Sequence, residues 1–340
     1  MVMRALAGLV AAAAVCGCGK FQDPNVVVDL RTLAIRAEPP DQVIDVDLSQ
    51  PVMPDALLAE LVPTQVCALV ADPAASRRLL WSMTMCALLS TDRCDDDGPE
   101  IPLGMGLMDD PETAVPEPTM CVTILPDANL LAVLAFVLQG DTLHGLGGVD
   151  YGVVLRVGGE NGNRDLDQYA AKTLAVSPRI PAARAANHNP SLDRIDAALE
   201  DRTPVPLPLG RCVDNPAPYV LAPETKLRLS PIESAGAREV YTVPTLDGRA
   251  ETFTESLTYQ WIASAGGFSR GSSGGPHDLA GDPPSLFSDF KSPAASDLGG
   301  ADSGSASGST GGSNDVTLWI IQRDERLGVR WYESCIHVAP

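Results

Sequence analysis

Apolar and polar positions alternate in short runs along most of this 340-residue chain. Residues 26–40 open the pattern. Leu33, Ile35 and Ala37 alternate with Ala34, Arg36 and Glu38, and Pro39-Pro40 stops the run. Period two with one apolar face predicts a half-buried strand. The same reading gives strands at 66–70, at 79–86 with Trp81, Met83 and Met85 on one face, and at 120–125. Two more, at 151–157 and 172–177, flank the turn-rich residues 158–163. One segment departs from the pattern. Behind Pro126-Asp127, the residues Leu130, Leu131, Val133, Leu134 and Val137 repeat at helical spacing. They predict a short helix over 127–138, capped by Asp127.

Alternation lapses over residues 179–211. Pro204, Pro206 and Pro208 withhold the amide donors that a regular ladder needs. After Asn189-Pro190, the charges of Asp193, Arg194, Asp196, Glu200, Asp201 and Arg202 read as a solvated helical face. A second alternating set begins at 226–229. Residues 240–243 and 250–253 flank Leu246-Asp247-Gly248-Arg249, a hairpin signal. Leu257, Tyr259 and Trp261 share one strand face, and 316–322 with 329–338 form a closing hairpin. Between them, residues 266–314 are dominated by Gly, Ser, Asp and Pro. Such a stretch buries too little apolar surface to offset its ordering entropy. Contact with the domain is expected only near Ser285, Leu286, Phe287 and Phe290, and residues 294–314 are expected to be mobile.

Composition narrows the class. Hydrophobic content of 45% with 20% charged residues is that of a globular protein, and 30 Gly with 29 Pro favour turns and short strands. The length suffices for two domains. Several short strands per half, with Trp81 following Cys67 and Cys121 in a later strand, resemble immunoglobulin-like β-sandwiches. The resemblance implies a Cys67–Cys121 bridge between the sheets of the first sandwich, packed on Trp81. The expected fold is therefore all-β: two immunoglobulin-like sandwiches in tandem. The first spans 26–178 with the helix inserted. A linker covers 179–211, and the second sandwich spans 212–340 with a flexible, disordered Gly/Ser-rich loop at 266–314.

The first residues carry an address. Arg4 precedes an apolar run over 6–15, and Val15-Cys16-Gly17-Cys18 follows. A basic start, a short apolar centre and small residues form the grammar of a secretory signal. The run is too short to span a bilayer, which takes about 20 residues. A small residue before a cysteine, with an aliphatic residue three before it, resembles the bacterial lipobox. That resemblance implies removal of residues 1–17, acylation of Cys18 and a tether over 18–25. Cys16 is the alternative site, but Ala14-Val15 fits the cleavage rule less well. Gly19 in place of Asp implies sorting to the outer membrane, on its periplasmic or its cell-surface face.

Charge limits the partners. The chain carries −20, and residues 1–17 hold Arg4 and no acid, so their removal makes it more negative. Such a surface repels phosphate backbones, which excludes nucleic acid as a natural partner. It also repels anionic lipid, so membrane attachment falls to the acyl chains. The remaining partner classes are a protein or a glycan at the envelope.

Of the eight cysteines, six lie beyond the signal. An even set in an exported chain argues for disulfides, and spacing must choose among fifteen pairings. Cys86–Cys94 is expected to close a local hairpin, and Cys212–Cys335 to join the start and end of the second domain. No CxxC pair points to zinc.

The chain is also similar to myxobacterial surface lipoproteins with Ig-like domains. The matching stretches are Leu30 through Pro40, Trp81 with Cys86 and Cys94, and Arg184-Ala185-Ala186-Asn187-His188-Asn189-Pro190. They continue with Tyr259 through Gly266 and Leu318 through Asp324. That group brings no reaction to carry over.

Catalytic signatures are sparse. HExxH, GxSxG and GxxxxGK do not occur, and His144, His188, His277 and His337 are scattered. Asp95-Asp96-Asp97-Gly98 beside Cys94, with Glu100, is a candidate calcium site, and a solvated acidic tip is its plainer reading. Residues 160–167 are a weaker case. No cofactor is expected. The sequence thus reads as a lipid-anchored envelope protein with a structural or binding role and no catalysis. One alternative is an enzyme or enzyme accessory with a site at the domain junction, marked by a buried histidine touching a serine and an acid. The other is a calcium-stabilised adhesin.

Overall fold

The computed structural model describes residues 23–46, 48, 53–72, 78–88, 93–94, 98–108, 120–143, 145–245, 247–298 and 314–339. The first half contributes β1 (Arg31–Glu38), β2 (Asp41–Ile44), α1 (Pro54–Glu60), β3 (Thr64–Ala71), β4 (Leu79–Cys86), β5 (Ile101–Met108), β6 (Cys121–Ile124), α2 (Ala128–Gly140), β7 (Val149–Gly159) and β8 (Gln168–Pro178). The second contributes β9 (Leu192–Leu199), β10 (Val205–Pro206), β11 (Tyr219–Leu221), β12 (Lys226–Glu233), β13 (Val240–Pro244), β14 (Ala250–Thr254), β15 (Thr258–Ala263), β16 (Gly267–Phe268), β17 (Ser272–Gly274), β18 (Ser288–Lys291), α3 (Ala295–Leu298), β19 (Asp315–Arg323) and β20 (Val329–Val338).

These strands make two β-sandwiches. In the first, a three-stranded sheet ordered β1-β3-β6 packs on a five-stranded sheet ordered β2-β8-β7-β4-β5. Alternation explains the core. Ile35, Ala37, Val66, Ala68, Val122 and Ile124 from one sheet meet Trp81, Met83, Tyr151, Val153 and Leu155 from the other. Helix α2 adds Leu130, Val133 and Leu134 to this core. Its N-terminus is held by Asp127, whose carboxylate accepts from the backbone of Asn129 at 2.9 Å and Leu130 at 3.1 Å.

In the second sandwich, sheets ordered β11-β20-β19-β15-β17 and β10-β9-β12-β18-β16 enclose Tyr259, Trp261, Phe290, Leu227, Leu229, Ile195, Leu318 and Ile320. The hairpin β13-β14 stands apart as a two-stranded ribbon on the predicted Asp247-Gly248 turn.

The sandwiches stack face to face. The three-stranded sheet of the first has apolar residues on both sides. Its second face, with Leu33, Ala34, Leu69 and Ala71, packs on Ile262, Trp319, Ile321, Val329 and Trp331 of the second. The molecule is thus four sheets deep, with three apolar layers between them.

Four expectations are corrected. The first concerns residues 179–211, which are not a linker throughout. The segment read as a charged helical face is β9, paired with β12 from Leu227↔Leu199 to Glu233↔Leu192. Ile195 and Ala197 fill the core, and Arg194 ion-pairs with Asp196 two residues on at 2.8 Å, as same-face strand neighbours do. Pairing with a partner strand outweighed the local helix-start signal.

The second concerns residues 266–314, which are not a flexible loop throughout. They supply β16, β17, β18 and α3. Phe268 and Phe290 pack with ring centroids 5.3 Å apart and planes tilted by 51°. The serines that suggested a linker bond the backbone instead: Ser273 to the carbonyl of Leu286 at 2.9 Å, Ser288 to that of Arg270 at 2.8 Å, and Ser292 to that of Ala222 at 2.8 Å. The mobile loop expected at 294–314 falls largely on residues 299–313, which lie outside the described residues.

The third is the Cys67–Cys121 bridge. Those residues are direct neighbours on β3 and β6 of a single sheet, so the bond does not cross the sandwich. Cys67 faces the neighbouring sandwich, whereas Trp81 lies in the first core. The ring packs on β5 instead, where a Cβ added at Gly106 would sit 2.9 Å from Trp81 Nε1.

The last concerns β1. A register shift between Thr32 and Ala34 turns Leu33 away from Ile35 and Ala37, toward the second sandwich.

Candidate functional site

The region between the sandwiches holds several perturbed groups, among them Asp41, Lys172, Glu255 and Arg323. Its centre is apolar. Trp319 and Trp331 lie across from Leu33 and Leu69, and Val27 enters from the start of the chain. The indole of Trp319 donates to Glu333 at 2.6 Å, and the Arg36 guanidinium lies 4.7 Å from the centre of the Trp331 ring.

Polar contacts tie the two bodies around that centre. Arg323 on β19 donates to Gln260 at 2.8 Å and to the carbonyl of Leu33 at 3.3 Å. Asn189 donates to the carbonyl of Ala37 and to Glu38, both at 2.7 Å, and its own carbonyl accepts from the backbone of Val329 at 2.8 Å. Lys172 on β8 donates to the carbonyl of Leu327 in the β19–β20 turn. Burial pushes the Lys172 ammonium down to about 8.

Arg326, in that turn, is the hub of the rim. It lies 3.3 Å from Glu255, 3.5 Å from Glu239 and 3.9 Å from Asp41 of the first sandwich, and it donates to the carbonyl of Ala185 at 2.9 Å. The Tyr241 ring lies beneath it at 4.7 Å. Asp324 braces the turn by accepting from the backbone of Arg326 and of Gly328, each at 2.7 Å. Asn187 joins the halves: its backbone donates to Asp41 at 2.5 Å, and its side chain donates to Asp324 at 3.1 Å and to the carbonyl of Arg326 at 2.7 Å.

Asp41, Glu239 and Glu255 surround Arg326, with Arg184 also attracting Asp41, and Asp324 adds a fourth acid nearby. Burial, with Asp324 and Glu239 adding repulsion, raises the Glu255 carboxyl to about 7 against the pull of Arg326. Burial also raises Asp41. Beside this rim, an open groove of about 450 Å³ runs between β1, β8 and the β19–β20 turn. It is lined by Thr32, Ile35, Lys172, Arg323 and Glu325. It offers both signs of charge.

The other candidates fare as follows. His188 is exposed and contacts Glu239 at 2.7 Å, and His337 contacts Asp315 at 2.7 Å. His277 is exposed, and His144 lies outside the described residues. Of the calcium candidates, Asp95, Asp96 and Asp97 lie outside the described residues, and Glu100 is exposed just before β5. Among the described residues no group of three acids, histidines or cysteines is placed to hold a metal ion. Cys18 also lies outside them. The bridges Cys67–Cys121, Cys86–Cys94 and Cys212–Cys335 are formed. Three disulfides imply an oxidising compartment. No helix among the described residues is long and apolar enough to cross a membrane.

Sequence reasoning did not single out Arg326, Glu255, Glu239, Asp41 or Lys172. They are far apart in the chain, and only the fold brings them beside Leu33, Asn187, Asn189 and Arg323.

Comparisons with known proteins add no identity. No family model matches the chain, and no curated protein does. Solved structures align loosely. The partial N-terminal region of an enterococcal surface protein shares 8% identity at a TM-score of 0.25, over 95% of this chain and 98% of that one. Red sea bream transglutaminase shares 8% at 0.23, and the match spans 92% of this chain but only 32% of the enzyme. A 1.5-MDa bacterial ice-binding adhesin shares 9% at 0.18, over 92% of this chain and 65% of that one. Likeness at this level carries no functional argument.

Proposed function

We propose that this chain is a lipid-anchored envelope protein of the outer membrane with a structural or binding role, and that its two sandwiches act as one body. It is read as a relative of the myxobacterial surface lipoproteins, without catalysis. The observation that carries the reading is the path of the first described residues. Val26 bridges to Ala263 of the second sandwich, with backbone bonds from Val27 to Ala263 and from Ala263 to Asn25, both at 2.9 Å. Val27 is buried in the junction, and β1 of the first sandwich begins at Arg31. An anchor at Cys18 would therefore pull on the seam that joins both bodies. The lipobox-like residues and the three disulfides support the same address.

Intact-mass analysis and detergent partition test it. The expected product begins at Cys18, carries acyl chains and enters the detergent phase, and Cys18→Ala gives an unprocessed or soluble form. A mature mass without acyl addition refutes the anchor.

A further inference from the structure

Strand β5 is a long edge without a charge among the described residues. It is the outermost strand of its sheet, and among the described residues no strand pairs on its far side. Proteins usually blunt such edges with charge, proline or shortness, because unpaired N–H and C=O groups recruit other strands. The other edges of the sandwiches are blunted in this way. Strands β10 and β16 have two residues, β11 and β17 three, and β2 and β6 four. The one other long edge, β1, carries Arg31, Arg36 and Glu38. Strand β5 runs eight residues, Ile-Pro-Leu-Gly-Met-Gly-Leu-Met, without a charge. That is roughly 27 Å of backbone. Pro102 and a register shift opposite Met83 and Thr84 blunt only its start, and the residues from Gly104 to Met108 keep a regular ladder and their amides.

The face beside this edge is apolar and open. Met105 is 75% exposed, Leu107 43%, and Leu80, the cross-strand partner of Leu107, 44%. Core packing does not require this exposure. The packing needs of β5 are met by its inward residues, including Gly104 and Gly106, which make room for Val122 and Trp81.

We infer that the β5 edge is a docking site for an extended segment of a cationic partner polypeptide, which adds a sixth strand to the sheet. Main-chain hydrogen bonds would supply affinity. Alternate apolar side chains over Leu80, Met105 and Leu107 would supply register. Charge selects the occupant. The chain carries −20, and Glu100 stands exposed at the entrance to the strand. A second copy would bring the same negative charge to the contact, whereas a segment ending in Lys or Arg would meet an opposite field. The inference rests on the binding half of the function proposed above and names its partner class.

The test uses the mature full-length chain in nonionic micelles. The probe is a labelled ten-residue peptide that alternates Val and Thr between two lysines at each end. Saturable binding is expected, with amide exchange slowed over residues 101–108. Met105→Thr with Leu107→Thr should weaken binding at least threefold with the melting temperature kept. Met105→Lys with Leu107→Lys, or glutamates in place of the peptide's lysines, should weaken it at least tenfold. Absence of binding, equal affinity for the variants, protection elsewhere, or self-pairing of the chain through this edge in sedimentation would each overturn the proposal. Acyl mass is read on the same sample. Acylation without peptide binding removes the site and keeps the address; binding without acylation does the reverse.

Discussion

The centre and the rim of the junction join the same two bodies by different physics. At the centre, Leu33, Leu69, Trp319, Ile321 and Trp331 exchange water for apolar contact, a non-directional attraction that scales with buried area. At the rim, Arg326, Asn187, Asn189 and Arg323 make directional bonds that hold only in one relative placement of the sandwiches. The centre therefore supplies attachment, and the rim supplies orientation together with sensitivity to pH. A rim with more acids than bases also stores repulsion, which the apolar centre must outweigh.

The largest effect should come from the centre. Trp319→Ala removes an indole that is 9% exposed, together with the hydrogen bond it donates to Glu333. Cavity and transfer losses for such a truncation run to about 3–5 kcal/mol. Chemical denaturation should show that loss, and small-angle scattering should show a wider particle. An unchanged profile in both would mean that the two bodies do not depend on this layer.

Removing the hub should cost somewhat less. Arg326→Ala strands Glu255, Glu239 and Asp41 without their shared counter-charge, at a cost of about 3 kcal/mol for a largely buried cation. The loss should shrink at lower pH, because protonated acids no longer need the guanidinium. Melting curves at pH 5 and pH 8 would separate the two contributions.

The acids themselves set a pH slope. Glu255 titrates near 7 when folded, against an ordinary value near 4.5. Between those values the folded chain holds a proton that the unfolded chain has released. Stability therefore falls as pH rises from about 4.5 to about 7, and this contribution is constant above that. Glu255→Gln should abolish this part of the slope, worth on the order of 1–3 kcal/mol, and should leave the variant the more stable of the two at pH 8. A parallel pH dependence in wild type and variant would assign the slope elsewhere.

Much of the fold was legible because each signal was local. Period two placed β4 on residues 79–86, Asp247-Gly248 placed the hairpin turn, and the Asp127 cap placed α2. The cysteine pairings drawn from the sequence are those formed, but the geometry of Cys67–Cys121 was not legible, since a same-sheet neighbour and a cross-sheet partner leave the same spacing. The junction was not legible for a related reason. Leu33, Leu69 and Ala71 look like any buried strand residues, and only assembly shows that β3 is buried on two faces against different partners. Strand β9 was hidden because charges at Asp193, Arg194 and Asp196 obscure the alternation of Ile195 and Ala197.

The smallest effect tests whether burial, rather than the presence of an ion pair, gives the rim its weight. Arg78 and Glu160 form an ion pair at 3.1 Å on the first sandwich, with 48% and 31% of their side chains exposed. Water already solvates both groups, so their attraction replaces little and is screened by salt. Glu160→Gln should shift stability by less than about 1 kcal/mol, and 1 M salt should erase the difference. The Arg326→Ala loss should persist in the same salt, since buried pairs are screened far less. If the two variants respond alike to salt, the rim is solvated and its role in orienting the sandwiches falls.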